Sequence, residues 1–449
     1  MVDSSGQLTV CLVSLGCPKN LIDSERMLAD LAQAGCIVGA PMNDANVIVV
    51  NTCGFLASAR DEALGIIEEA LSHKRAGRTQ RVVVAGCLPS RDGAALKQAL
   101  PEVDAIIGVE NRADVVSAVV LPKPFVRIDA HQGGVNDDTG RFRLTPPHTA
   151  YLRIAEGCSG SCTYCTIPAI RGPFRSKPAE AVLAEARELV NDGAVELNVI
   201  AQETTNYGQD LSNGPTIRTL SGLLTALNKL DGLEWIRLMY THPRRFTDDL
   251  IDTIATCHNV LPYVDIPLQH ISNDILRRMG RSIGRRDTET LLNKLRRQIP
   301  GIVIRTTFIV GFPGETDDHF DELLQFVKDF HFDALGVFEF SPEPGTAAAE
   351  MQPTVPQEVI VERAERIMLA QQEVAFQANG ASLGKEVTVL IDGIDESGHC
   401  IGRHYGQAPE IDSVCFVEPP IDTGSIVSGK VIDFDGYDLV VSVRHAKQI

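Results

Sequence analysis

Three cysteines within ten residues carry the most specific chemistry in this chain: Glu156-Gly157-Cys158-Ser159-Gly160-Ser161-Cys162-Thr163-Tyr164-Cys165. The spacing is C-x3-C-x2-C. Thiolates are the usual ligands of iron–sulfur clusters, and four of them hold a four-iron cubane completely. Three on one short loop hold three irons and leave the fourth open to a chelating ligand. The amino and carboxylate groups of S-adenosylmethionine suit such an iron, and an electron from the cluster then cleaves the sulfonium. A structural zinc loop is the competing reading. Zinc sites close with four ligands, often as paired C-x2-C units, and no neighbouring His or Cys supplies the fourth here.

The elements that must hold such a loop read as alternating strands and helices. Short apolar runs at 9–13, 47–50, 82–85 and 105–109 suit strands buried in a parallel sheet, with helical patterns between them at 23–34 and 59–72. Cys17, Cys53 and Cys87 each fall just past one of the first three runs, on the edge where open α/β sheets gather ligands. Neighbouring Gly and Pro residues mark tight turns that would expose a thiolate. A second cluster with an open iron is one reading of this trio; core thiols or a zinc site is the other. Cys11, Cys36, Cys257, Cys400 and Cys415 lie in apolar stretches and read as buried hydrophobes. Eleven cysteines cannot pair fully within one chain, and disulfides are disfavoured in a reducing compartment.

Three domains and a linker follow, as an α/β multidomain architecture. Residues 1–125 are expected to form a doubly wound α/β domain. A polar linker spans 126–147. A second strand–helix series, with strands at 151–155, 197–201, 235–240, 263–266, 303–310 and 335–340, suits a partial (β/α)6 barrel within 148–376. Its first strand places the Cys158 loop at the carboxyl mouth, where barrels keep active sites. A Pro-rich break at 341–356 and a helix at 357–379 lead to short β runs, expected to form a small antiparallel barrel over 377–449.

Composition narrows the class. No apolar run is long enough to span a membrane, and residues 1–7 lack the features of a secretory or transit signal, so a cytoplasmic protein is expected. Lys and Arg number 41 against 59 Asp and Glu, a net charge of −18. That balance disfavours phosphate backbones and favours a basic protein partner.

These features together resemble the radical S-adenosylmethionine methylthiotransferases over essentially the whole chain. The match rests on Ser14-Leu15-Gly16-Cys17-Pro18-Lys19-Asn20 with Cys53 and Cys87, on 156–171, and on a last segment similar to a TRAM domain. Together with Ala408-Pro409-Glu410-Ile411-Asp412, the first stretch is most similar to the branch acting on an aspartate of a small-subunit ribosomal protein, the twelfth. Gln407 stands where that branch usually has Asp. The resemblance implies two [4Fe–4S] clusters, one on Cys158, Cys162 and Cys165 that cleaves S-adenosylmethionine, and an auxiliary one on Cys17, Cys53 and Cys87 that carries the sulfur. It implies a 5′-deoxyadenosyl radical that removes hydrogen from the aspartate β-carbon, which then takes the methylthio group. No catalytic residue beyond the clusters is implied.

Tyr164 would pack near the adenine, or serve as an ordinary loop aromatic. Gly311 and Pro313, in Gly311-Phe312-Pro313-Gly314-Glu315, would border the nucleoside, or only turn a strand into a helix. Gln202 and Glu203 occupy the same mouth and are candidates for the ligand's polar groups. The basic run 277–286 would meet a carboxylate, or simply be solvated. For substrate, the alternatives are an adenosine of transfer RNA, or no reaction at all in a ribosome-binding iron–sulfur or zinc scaffold. Residues 377–449 hold eleven acidic and five basic residues, a net charge of −6. Stable RNA binding by this domain is therefore not expected, and a basic ribosomal protein, free or on the ribosome, is. A monomer and a separate electron donor complete the expectation.

Overall fold

The computed structural model describes residues 7–131, 133–211 and 216–443. Its first sheet contains β1 (Thr9–Ser14), β2 (Ile37–Val38), β3 (Val47–Thr52), β4 (Arg81–Gly86), β5 (Ala105–Gly108) and β6 (Phe125–Arg127). All pairings are parallel, in the order β2-β1-β3-β4-β5-β6. The period of two along β3 shows why the run is apolar throughout. Val47 and Val49 face α1 (Pro18–Gln33) and α4 (Val115–Val120), whereas Ile48 and Val50 face α2 (Ala57–Arg75) and α3 (Cys87–Ala99). The sheet is doubly wound, as expected. The edge strands β2 and β6, two and three residues long, are too short to stand out in the sequence.

The second sheet starts with β7 (Thr149–Arg153). A two-residue strand pair, β8 (Ala155–Glu156) with β9 (Arg175–Ser176), then brackets the Cys158 loop and α5 (Ile167–Arg171). After α6 (Ala179–Asn191) come β10 (Glu196–Ile200), α7 (Leu220–Leu227), β11 (Trp235–Leu238), α8 (Asp248–Thr256) and β12 (Val260–Asp265). The series ends with α9 (Asn273–Arg278), α10 (Arg285–Gln298), β13 (Val303–Val310), α11 (Asp317–Phe330), β14 (Ala334–Glu339) and α12 (Gln357–Ser382). Six parallel strands run β14-β13-β12-β11-β10-β7 and leave the barrel open between its end strands. Ala150 and Leu152 of β7 join the core under the helices, while Tyr151 points the other way. There it shares a buried cluster with Ile22 of α1, Ile200, Met239 and Tyr263. The first domain thus reaches into the open barrel. Among the described residues no helix is long and apolar enough to cross a membrane.

The last segment is a closed barrel, β15-β16-β17-β19-β18, of β15 (Glu386–Ile394), β16 (Cys400–His404), β17 (Cys415–Glu418), β18 (Ile426–Asp435) and β19 (Asp438–Ser442). One correction applies: β17 and β19 pair in parallel, and this pairing closes an otherwise antiparallel sheet.

One further expectation, the burial of Cys36 and Cys257, needs correcting, and the linker and Gln407 acquire structural roles. Most of the linker is accessible, but Asp138 and Arg141 are buried, and Asp138 meets Arg112, Arg153 and Lys177. Cys36 and Cys257 are half-exposed, so only Cys11, Cys400 and Cys415 of that group are buried. Gln407 is a staple: its Oε1 accepts from the His404 N–H (2.9 Å) and the Cys415 thiol (3.3 Å), and its Nε2 donates to Ser413 (3.0 Å). An amide can do both; a carboxylate would keep the last bond only with the Ser413 hydroxyl as donor.

The small barrel docks at the amino ends of the parallel strands. Arg403 lies 2.8 Å from Glu196 and 2.7 Å from Asp392, Arg237 donates to the Tyr405 carbonyl (2.6 Å), and Arg305 lies 3.1 Å from Asp412. Burial alone would raise Glu196, but Arg403 and Arg237 hold its carboxyl down at about 2. Arg403→Ala should therefore leave half of this buried charge uncompensated. We expect a loss of about 3 kcal/mol or more, read by denaturant unfolding, with faster hydrogen exchange across β15–β19. The folded pKa lies below the ordinary carboxylate value, so this contribution is complete above about pH 4.3 and is lost as pH falls towards 2.

Candidate active site

The loop carrying Cys17 is fixed by amides. Asn20 Nδ2 donates to the Leu15 carbonyl (2.6 Å), and Asn51 Nδ2 donates to the Asn20 carbonyl (2.9 Å) and Ser24 Oγ (2.8 Å). Missing side chains let the three cysteine turns touch. A Cβ on Gly16 would lie 2.8 Å from Cys53 Cβ, and one on Gly54 would lie 2.9 Å from the Cys87 backbone. Cys17, Cys53 and Cys87 thus gather at the carboxyl edge of the first sheet. Cys17 is exposed and Cys53 half-buried. Cys87, expected to be exposed by its turn, is only 7% accessible because it begins α3 and packs with Val109 and Ile170.

The second trio sits on the loop between β8 and α5. The Gly160 N–H points at Cys158 Sγ (3.3 Å), the Cys158 N–H donates to the Gly172 carbonyl (3.1 Å), and Thr163 is bonded to Met279 and Arg278 carbonyls. Burial pushes the Cys165 thiol up to about 12, and Cys87 to about 12 despite Arg171 beside it. Such thiols ionise by exchanging the proton for a metal. Among the described residues no three His, Cys, Asp or Glu converge as ligands of a single ion; a cubane takes each thiolate on a separate iron.

Arg171 joins the trios. This 1% exposed guanidinium donates to Cys87 Sγ (3.3 Å) and Asn20 Oδ1 (3.4 Å). Its other arm lies 3.0 Å from Asp23 and 3.2 Å from Glu156, two residues before Cys158.

The remaining candidates are placed unevenly. Tyr164 meets Phe312 edge-on at 6.4 Å, and its hydroxyl pairs with Cys162. Gln202 donates to Glu156, and its Oε1 is buried without a partner. Glu203 is raised by burial against the pull of Arg245, 2.8 Å away, and of Arg281. Gly311 and Pro313 are buried, but Gly311 has a packing reason: its Cβ would fall 2.3 Å from Ile360 of α12. Of the basic run, Arg277 pairs outward with Asp274, whereas the charge of Arg281 is felt by Cys165, Tyr164 and Glu203.

Family models match in three stretches: the Radical SAM superfamily at 152–327, a family described as Uncharacterized protein family UPF0004 at 9–108, and a TRAM domain at 383–443. The ribosomal protein uS12 methylthiotransferase RimO of Pelotomaculum thermopropionicum is 45% identical over 414 residues, covering 91% of this chain and 93% of that one. That of Geobacter sulfurreducens is 42% identical over 444 residues, 97% and 99% of the two chains. The chain belongs to the RimO family.

Members of this methylthiotransferase family are radical enzymes that use S-adenosylmethionine and [4Fe–4S] clusters. A solved radical S-adenosylmethionine methyltransferase, TsrM from Kitasatospora setae with cobalamin and a [4Fe–4S] cluster bound, shares the fold. Its TM-score is 0.53 at 15% identity, covering 76% of this chain and 74% of that one. Sequence reasoning about this RimO-family chain missed Arg171, Lys19, Tyr240, Asp265 and His242. The last is pushed down to about 3 by burial and by Arg281, Arg245 and Arg244, and so stays neutral. Lys19 and Arg171 had a signal, since both lie in the stretches that carry the family resemblance. Arg171→Gln should leave Asp23 and Glu156 short of a counter-charge, lowering stability by about 3 kcal/mol and iron retention by the Cys17/Cys53/Cys87 set. Thermal unfolding and iron analysis after anaerobic reconstitution read the two effects separately.

Proposed function

We propose that Cys158, Cys162 and Cys165 hold one [4Fe–4S] cluster, that Cys17, Cys53 and Cys87 hold the auxiliary one, and that the enzyme adds a methylthio group to the β-carbon of an aspartate in ribosomal protein uS12. The observation that carries this is the pair of three-thiol sets, tied together by Arg171 at the facing ends of two sheets. The donors are all sulfur, as iron–sulfur clusters require. When bound, the clusters and S-adenosylmethionine supply the radical and the sulfur.

The chain's own residues position and exclude. Tyr164 seals the Cys158 loop against Phe312. Gln202, with its unpaired buried oxygen, and Glu203 would receive the polar groups of S-adenosylmethionine, with Gly311 and Pro313 at its border. Outside, Glu386, Glu396, Glu418, Asp422, Asp433 and Asp435 are exposed on the TRAM-like barrel, which supports docking of a basic protein. The working units are the doubly wound domain through β6, the open barrel with α12, and the small barrel from β15. A ribosomal substrate places the work in the cytoplasm.

The test is an anaerobic assay with uS12 and transfer RNA in competition, read by mass for an added methylthio group. Modification of uS12 alone is expected; modification of the RNA would overturn the substrate. Cys162→Ala should abolish 5′-deoxyadenosine formation. Cys53→Ala should retain it, lose methylthiolation, and bind about four irons where the parent binds about eight. A fully active Cys53→Ala enzyme would remove the second cluster from the reaction.

A further inference from the structure

Lys19, in the first turn of α1 and two residues past Cys17, is 5% exposed. Its Nζ lies 2.8 Å from the centroid of the Tyr240 ring. Among the described residues no carboxylate stands within ion-pair distance of that amine. Arg112, Arg153, Arg171, Lys177 and Arg237 differ in each holding a carboxylate, and buried Arg81 differs in being satisfied by the Ala118 and Lys123 carbonyls. Asp265 is near enough for its charge to be felt at Lys19, but it is committed elsewhere. It lies 3.0 Å from Arg305 and accepts the Tyr240 N–H at 3.1 Å.

Tyr240 follows β11 at φ +57°, an uncommon backbone for an aromatic residue that persists where the surroundings enforce it. The ring covers one side of the ammonium. A buried ammonium needs a counter-ion, and a π face replaces it only in part. Cys17, Glu156 and Arg171 all act on Lys19 through space, so the amine stands near Cys17 and the Arg171–Glu156 pair.

We propose that Lys19 binds the side-chain carboxylate of the target aspartate and so holds its β-carbon beside Cys17. This rests on the aspartyl substrate proposed above. The chemistry fits because the carbon to be modified is bonded directly to that carboxylate, so one ion pair fixes the reacting atom. The carboxylate of S-adenosylmethionine is the other group of the same chemistry that the amine could hold, and the test separates them.

Reconstituted parent and Lys19→Met enzymes are compared on uS12 and on uS12 with Asn in place of the target Asp. A charge-assisted bond implies that the parent favours Asp by about tenfold to a hundredfold in kcat/KM. Lys19→Met should lose that much on the Asp protein and little on the Asn protein, bringing the preference near unity. Iron content and affinity for S-adenosylmethionine measured without uS12 should be unchanged. A retained preference, an equal loss on both proteins, or a weakened affinity for S-adenosylmethionine would each overturn the assignment. If Lys19→Met does not fold, equal binding of the Asp and Asn proteins by the parent overturns it. A parent enzyme that modifies neither protein refutes the aspartyl substrate itself, a different failure.

Discussion

Everything at the site depends on one buried, nearly neutral lattice of charges. Arg153, wholly inaccessible, lies 2.9 Å from Asp23, 2.6 Å from Glu156 and 2.6 Å from Asp138. Arg112 and Lys177 also meet Asp138, and Arg171 meets Asp23 and Glu156. Asp23 and Arg112 come from the first sheet's domain, Arg153, Glu156, Arg171 and Lys177 from the barrel, and Asp138 from the segment between. Burial alone would raise Asp138, yet Arg153, Lys177 and Arg112 hold it well below the usual carboxylate range. Such a lattice adds little net stability over an apolar interface, since each ion loses its water. It does impose geometry. A guanidinium with two carboxylates in fixed directions tolerates little displacement, and removal of one partner leaves an uncompensated buried charge. Two thiol loops on different sheets are thereby held in one register.

The opposite end of the barrel is closed by the same device with different partners. Arg403 spans Glu196 and Asp392, while Tyr263 and Arg305 hold Asp412. The chain from Asp412 through Arg305 to Asp265 and Tyr240 crosses the barrel interior, from the docked small barrel to the ring beneath Lys19. A third tie closes the mouth from the side: Glu343, in the Pro-rich break after β14, caps the α2 backbone at Ala57 and lies 2.9 Å from Arg91. The domains are therefore fitted to each other by charge at three places, and apolar contact such as Ile22 against Tyr263 fills the space between.

What was legible in the sequence was what is local. Cys158, Cys162 and Cys165 lie on one loop, and spacing alone states their chemistry. A strand such as β13 carries its period within a dozen residues, and it lies where the pattern put it. The partners of a charge are not local. Asp138 lies in a polar stretch that reads as a linker, and nothing nearby announces that Arg153 and Lys177 will bury it. Gly311 illustrates the converse. Its signal was real, but the neighbour that demands a glycine is Ile360 of α12, 49 residues later. Cys87 was misplaced in depth for a related reason: its turn opens directly into α3, and Ile170 of the other domain covers it.

The charge of the whole molecule sets a last constraint. A net charge of −18 draws a basic protein towards the surface and its exposed TRAM-like acids. The group to be modified, however, is itself an anion, which the same field repels. Long-range attraction of the protein and short-range acceptance of its aspartate therefore need opposite signs. The surface supplies one and the interior the other. Around the mouth, Arg281 and Arg245 face Glu203, while Lys19 is a buried cation without a carboxylate in ion-pair distance among the described residues. An acidic exterior with an unsatisfied cation at depth is selective in two steps. On the Lys19 assignment proposed above, nucleic acid would be turned away outside, and a neutral side chain on an otherwise correct protein would find no partner within.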